Sequence, residues 1–250
     1  MKHDFTDKYG NLDSPVHRLD PRAKIVAALA GIVIVVTEPL TAEVNRMALY
    51  SAPLLVIFLL SRLPVHYVIK RMLIVSPFIL MASAFYFLSA IADSGNHTAE
   101  KTAQSLNGAL IIFFRAFTAI LILILLTSTE KFHRLLMALR RLRMPKLICS
   151  ISALLYRYIF LLADETLRTT RARESRTPGK LMVNRMKVAG NQAAMIFLRS
   201  WERSQTIYKS MLSRGFTGEY PDMQRVVLRT RDVIFPCIFI ALMLAIRLLV

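Results

Sequence analysis

Two arginines of this 250-residue chain lie where long amphipathic helices are predicted to end, and their chemistry suits recognition of another protein. A guanidinium is planar and can bind a carboxylate through two parallel hydrogen bonds. In the last turn of a helix, the cation also complements the negative helix end. We therefore predict that both helix tips dock into acidic pockets on a partner. The two tripeptides are Ala172-Arg173-Glu174 and Ser213-Arg214-Gly215.

The residues that follow each arginine support the predicted helix ends. Pro178-Gly179 comes about one turn after Arg173, and Gly215 comes directly after Arg214. Proline and glycine are typical of the positions at and just beyond a helix end. A helix-capping role is the simpler interpretation for either arginine alone. The presence of two such arginines, each at the end of a long helix, is what favours docking.

Catalytic and metal-binding patterns are sparse in the sequence. It contains no Walker A motif, so we predict that the chain is not an enzyme and holds no cofactor of its own. The five histidines lack zinc-ligand spacing, and two cysteines are too few for a thiolate cluster. Met1-Lys2-His3 could chelate a square-planar metal ion through a free amino terminus, although a mobile tail is the simpler interpretation.

Composition and charge together indicate a membrane protein. The chain is 55% hydrophobic, yet its formal net charge is +17. A soluble domain this apolar needs a very large core, and a soluble nucleic-acid-binding protein this basic is normally more polar. Residues 130–232 hold 21 of the 33 basic and 8 of the 16 acidic residues, so this segment carries +13. Its few aromatic residues argue against nucleic-acid binding.

Five apolar runs are candidate membrane crossings, and they contain no Asp or Glu. Buried carboxylates are expected along the path of an ion-coupled carrier, so their absence argues against that function. Arg115 and Arg247 are the charged residues within the runs. The Lys and Arg content of the loops alternates, which predicts a cytoplasmic N-terminus and four crossings before residue 127. The runs are 25–36, 47–60, 72–91, 106–126 and 233–250.

Three amphipathic helices are predicted on the cytoplasmic side, at about 129–144, 146–176 and 180–214. The stretch 147–163 is apolar enough to span, but a crossing there would export the basic segment behind it. We therefore expect it to lie at the interface or to pack on a partner. The third helix carries an apolar face, which is either internal packing or a contact with a membrane partner. The residues proposed for that contact are Met182, Met186, Ala189, Ala193, Trp201 and Tyr208.

The predicted fold is an all-α membrane protein with about five transmembrane helices and a cytoplasmic module of long amphipathic helices. The N-terminal membrane module covers residues 1–127. The cytoplasmic or interfacial module covers 128–232, and a C-terminal transmembrane helix covers 233–250.

Several short motifs resemble those of the transmembrane (T) component of energy-coupling factor transporters, in particular its cobalt-type branch, CbiQ. The entry to the first apolar run reads His-Arg-Leu-Asp-Pro-Arg-Ala-Lys over residues 17–24. Residues 139–145 are followed by Tyr156-Arg157-Tyr158 and Glu165, and then by the two arginine tripeptides. The first tripeptide departs from the family's frequent Ala-Arg-Gly by carrying Glu174. The motifs are short, but through their order and context the resemblance extends over nearly the whole chain.

This resemblance implies a scaffold in a bacterial cell membrane that couples ATP hydrolysis by its partners to import of cobalt or a similar metal. It implies that Arg173 docks on one cytoplasmic ATPase and Arg214 on a second. The implied partners are two CbiO-like ATPases that bind the ATP, a CbiM-like substrate-binding membrane subunit and a small CbiN-like membrane subunit. Two alternatives stay open: a channel or secondary transporter acting alone, and a membrane-anchored protein that binds anionic lipid.

Overall fold

A computed structural model describes residues 14–39, 44–93, 99–176, 185–218 and 230–249, and the regular structure within these ranges is helical throughout. The prediction of an all-α protein is confirmed. The helices are α1 (Pro21–Val36), α2 (Val44–Leu49), α3 (Ser51–Ser61), α4 (Val65–Asp93), α5 (Ala99–Thr129), α6 (Phe132–Arg141), α7 (Lys146–Arg176), α8 (Arg185–Ser213) and α9 (Thr230–Leu249).

The chain forms two compact units. One comprises Lys2–Ala138 together with Gln224–Val250, and we call it the membrane unit. The other comprises Leu139–Met223 and contains α7 and α8, and we call it the helix-pair unit. The helix-pair unit begins 11 residues later than the predicted module at 128, because most of α6 belongs to the membrane unit.

Four helical stretches of the described chain are long and apolar enough to cross a membrane: Val44–Ser61, Val65–Ala92, Ala103–Thr129 and Lys146–Ser175. Three of them contain predicted runs. The run 25–36 falls in α1, whose 16 residues are fewer than a full crossing requires. The fourth stretch takes in 147–163, so α7 has the length and composition of a span. The interfacial placement of 147–163 therefore stays a prediction.

Helix α1 packs against both α5 and α9 in the membrane unit. Its first turn is set by Asp20, whose carboxylate accepts a hydrogen bond from the Arg22 amide at 2.8 Å, and by Pro21, which suits the start of a helix. Gly31 permits close contact, since a Cβ there would lie 2.9 Å from a ring carbon of Phe239. Small residues at such contacts are typical of helices packed in membranes.

The far end of α1 explains the two arginines within the apolar runs. The last carbonyls of a helix have no partner inside that helix. Arg115 on α5 donates to the carbonyl of Glu38, and Arg247 on α9 donates to the carbonyl of Thr37 at 3.5 Å. The Tyr50 hydroxyl donates to the Glu38 carboxylate. Arg115 thus makes an orienting contact inside this chain.

Candidate docking sites at two helix ends

Arg214 lies at a helix end that is capped by backbone hydrogen bonds and not by its side chain. Helix α8 ends at Ser213, and Gly215 takes a φ of +80°, the left-handed conformation that favours glycine. The Gly215 amide donates to the Leu212 carbonyl at 2.9 Å, and the Phe216 amide donates to the Met211 carbonyl at 3.0 Å. This pair of bonds is a Schellman motif, with Gly215 directly after the cap residue Arg214. The predicted position of Gly215 is confirmed.

The Arg214 side chain is exposed and forms no hydrogen bond or ion pair with any other residue that the structure describes. A guanidinium carries five N–H donors and no acceptor. Within the described chain, all five remain open to an acceptor on another molecule. The turn fixes the backbone that carries this cation, while the side chain keeps its freedom.

Arg173 lies in the last turn of α7 but is held by α8. Its Nη1 donates to Gln192 Oε1 at 2.9 Å. The Gln192 amide nitrogen donates to Thr170 Oγ1 at 2.6 Å and lies 3.4 Å from Thr169 Oγ1. The Thr170 hydroxyl in turn donates to the Thr166 carbonyl at 2.8 Å. In this series of hydrogen bonds every donor has an acceptor. The Gln192 amide is therefore fixed with its oxygen toward Arg173.

The two predicted docking sites therefore differ in how they present the cation. Arg173 is half-buried and one of its donors is already used, whereas Arg214 is exposed. The flanking residues Ala172 and Glu174 are exposed, as is Ser213, whose hydroxyl donates to the Ser210 carbonyl at 2.9 Å. Because Glu174 places a negative charge near a negative helix end, it adds an unfavourable interaction that the second site lacks.

A second contact between α7 and α8 lies nearer the middle of both helices. Arg199 Nη1 on α8 lies 2.8 Å from Glu165 Oε1 on α7. Neither Gln192 nor this ion pair was singled out from the sequence. The sequence did contain a signal for these contacts. In an antiparallel helix pair, two contacting residues lie at about equal sequence distances from the middle of the connection between the helices. The pairs 173 with 192 and 165 with 199 both centre near residue 182, just beyond Pro178-Gly179.

The predicted face for a membrane partner is largely exposed on α8. Met186, Ala189, Ala193 and Trp201 are all exposed, and Met186 is 91% so. Met182 lies outside the described residues. Tyr208 is also exposed and lines an apolar cleft of about 300 Å³ between α7 and α8. The face is therefore not buried within the described chain, which keeps partner contact as a prediction.

No group of three His, Cys, Asp or Glu side chains that could hold a metal ion occurs among the described residues. Met1-Lys2-His3 lies outside them.

Comparison with known proteins gives consistent matches. The sequence model of the CbiQ family, described as cobalt transport protein, matches residues 13–225. An uncharacterised protein of Methanocaldococcus jannaschii is 26% identical over 240 residues, which is 92% of this chain and 81% of that protein. An energy-coupling factor transporter transmembrane protein, EcfT, from Heliobacterium modesticaldum is 27% identical over 87% of this chain and 86% of its own length.

A longer relative from Methanocorpusculum labreanum has a name that describes a fused cobalt transport protein, CbiMQ. It is 26% identical over 82% of this chain, and the match spans 35% of the relative. This chain therefore resembles about a third of that fused protein.

Proposed function

Because the chain belongs to the CbiQ family of cobalt transport proteins, we propose that it is the transmembrane coupling subunit of an energy-coupling factor importer. The resemblance noted from the motifs is confirmed at the level of the family, and the chain is a multi-pass membrane protein. In the proposed role, the subunit binds two cytoplasmic ATPases and a substrate-binding membrane subunit in the cell membrane. ATP is bound by the ATPases, and the cargo is cobalt or a similar metal ion bound by the substrate subunit.

The exposed arginine on the Schellman turn of α8 is the observation that best supports this proposal. An arginine whose backbone is fixed and whose donors are open suits bidentate binding of a carboxylate on a partner. Arg173 at the end of α7 supplies a second cation, although Gln192 already accepts from one of its donors. Two tips allow one subunit to contact two ATPases, so that closure of an ATPase pair would move both helices.

The fused architecture of one relative supports the proposal that this chain acts with a substrate-binding membrane subunit. The name CbiMQ describes a protein in which a CbiQ part is joined to a further part, and this chain matches about a third of it. Covalent fusion is a natural arrangement for subunits that act together. We therefore propose a CbiM-like membrane partner, with the exposed face of α8 as the surface it contacts and a CbiN-like subunit as a further component.

The test is a double substitution at both tips, Arg173→Ala with Arg214→Ala. We expect the variant to insert into membranes normally, to lose co-purification with the ATPases and to lose ATP-driven metal uptake. Arg203→Ala, another exposed arginine of α8, is the matched control and should leave both properties unchanged. Unchanged uptake in the double variant would contradict the proposal. Uptake by the chain reconstituted alone would instead establish an independent carrier.

A further inference from the structure

The chain leaves the membrane unit after Ala138 and returns to it at Gln224, so the helix-pair unit is attached at two junctions. Glu130 lies shortly before the first junction, between α5 and α6. Asp232 lies shortly after the second, in the first turn of α9. These two carboxylates are 102 positions apart in sequence, yet both contact the start of α1.

The contacts are made by two residues one helical turn apart. The Lys24 ammonium donates to the Glu130 carboxylate. The Asp20 backbone amide donates to Asp232 Oδ1 at 2.9 Å. The N-cap residue of α1 and the fourth residue of the helix thus bind the two carboxylates that flank the junctions. We call Asp20, Lys24, Glu130 and Asp232 the α1 anchor.

The α1 anchor is buried. The Lys24 and Glu130 side chains are 4% and 0% exposed, and Asp20 and Asp232 are also buried. Burial raises the pKa of the Glu130 carboxyl, while the ammonium beside it acts in the opposite direction. Arg134 Nη1, 3.6 Å from the second carboxylate oxygen, adds to the charge that stabilises the anion.

Burial of an ion pair is a poor way to gain stability. Removing two charges from water costs about as much as their attraction returns, and well-packed apolar side chains often serve equally well. What charged and hydrogen-bonded contacts add is a defined direction and distance between the elements they join. The α1 anchor therefore fixes Glu130 and Asp232 to the start of α1 in a defined geometry.

We propose that the α1 anchor transmits movement of the helix-pair unit to the membrane unit by making both junctions move together with α1. Its residues are positioning residues for transport rather than contacts for ATPase or metal. This role also gives a function to the motif at residues 17–24. The proposal rests on the coupling function proposed above, because it concerns how movement of α7 and α8 reaches the membrane helices.

The experiment replaces the ion pair by an apolar pair, Lys24→Met with Glu130→Met, in the assembled transporter with its ATPases and substrate subunit. Co-purification of subunits, ATP hydrolysis and metal uptake are measured on the same preparations. We expect assembly and hydrolysis to stay near wild-type, because the docking arginines are untouched. Uptake should fall about five- to 150-fold, the range of ordinary coupling free energies.

Asp232 supplies the matched pair of single variants. Asp232→Asn keeps an oxygen that accepts the Asp20 amide and should transport normally. Asp232→Leu removes the acceptor and should lower uptake relative to hydrolysis. This pair decides the question even if the Lys24→Met, Glu130→Met variant fails to fold, because only the Leu variant breaks the contact.

Two results would overturn the proposal. One is wild-type uptake by Asp232→Leu or by the apolar pair. The other is a parallel fall of assembly, hydrolysis and uptake in Asp232→Leu, which would show a purely structural contact. Failure of the coupling function itself looks different, since the wild-type chain would then retain no ATPase.

Discussion

The membrane unit and the helix-pair unit use the same kinds of polar contact in opposite ways. In the membrane unit, Lys24 and Glu130 form an ion pair whose side chains are almost fully buried. In the helix-pair unit, Arg199 and Glu165 are 54% and 27% exposed. A buried pair is costly to break because each charge is left without water, whereas an exposed pair exchanges its partner for water. The buried pair in the membrane unit therefore resists rearrangement more strongly than the exposed pair in the helix-pair unit.

Glycine packing shows the same difference. Gly31 in α1 lies so close to α9 that an added Cβ would come within 2.9 Å of the Phe239 ring. A Cβ added to Gly190 in α8 would have no atom of the described residues within 4 Å apart from its chain neighbours and the backbone of its own helix. One glycine is required by its neighbours, and the other leaves a helix surface open. A helix that contacts several partners during transport benefits from the open arrangement.

The largest effect is expected from removing one member of the buried pair. Glu130→Ala leaves the Lys24 ammonium buried without its carboxylate, which should cost about 3–5 kcal/mol of stability. The free energy of unfolding, measured by denaturant titration in detergent micelles, checks this. Glu165→Ala is the matched variant in the helix-pair unit and should cost less than about 1 kcal/mol. Similar losses for the two variants would remove the distinction between the units.

The second-largest effect on stability is expected from alanine substitutions at Gly31 and Gly190, which should act in opposite directions. Gly31→Ala forces the Phe239 ring to move and should destabilise the membrane unit by about 1–3 kcal/mol, as overpacked cores do. Gly190→Ala should stabilise α8 by up to about 1 kcal/mol, because alanine is the better helix former. Thermal unfolding of the two variants in the same detergent gives the comparison. A stabilised Gly31→Ala variant would show that the α1–α9 contact is looser than its geometry indicates.

Local features of this fold could be predicted from the sequence. The bounds of α7 and the position of Gly215 follow from patterns a few residues long, such as Pro178-Gly179 after an amphipathic stretch. The contacts that tie distant segments together could not be predicted. Lys24 and Glu130 are 106 residues apart, and a Lys before an apolar run is equally consistent with the positive-inside rule. Arg115 was recognisable as unusual, but its acceptor is a backbone carbonyl, which no residue type reveals.

A smaller effect is expected at Arg173, the docking arginine proposed for α7. Gln192→Glu converts the hydrogen bond with Arg173 into an ion pair that competes with a partner's carboxylate. ATPase retention should fall by about tenfold, which corresponds to about 1.4 kcal/mol. The stability of the chain should change little, because the new ion pair with Arg173 offsets the lost hydrogen bond from the amide nitrogen to Thr170. Gln192→Leu releases Arg173 and should cost about 1–3 kcal/mol of stability, because it removes the hydrogen bonds with both Arg173 and Thr170, without weakening retention. Binding titrations with purified ATPase measure both variants.

Retention that falls equally in the Glu and Leu variants would mean that Gln192 serves the packing of α7 on α8 alone. Arg214 provides the internal reference, because it forms no contact with the other described residues that Gln192 could influence. An Arg214→Ala background should therefore leave the ratio between the two Gln192 variants unchanged.

The smallest effect concerns the exposed pair itself. A double-mutant cycle with Glu165→Gln and Arg199→Gln should give a coupling energy of about 0.2–1 kcal/mol that decreases as salt is added, because water and ions screen exposed charges. The equivalent cycle with Lys24→Met and Glu130→Met should give a larger energy that salt leaves nearly unchanged. Salt dependence is thus a sharper criterion than magnitude, since it reports access of water to the pair. If the Glu165–Arg199 coupling energy did not change with salt, water would have little access to this pair, as in a closed arrangement of α7 and α8. That result would contradict the idea that these helices are free to change partners.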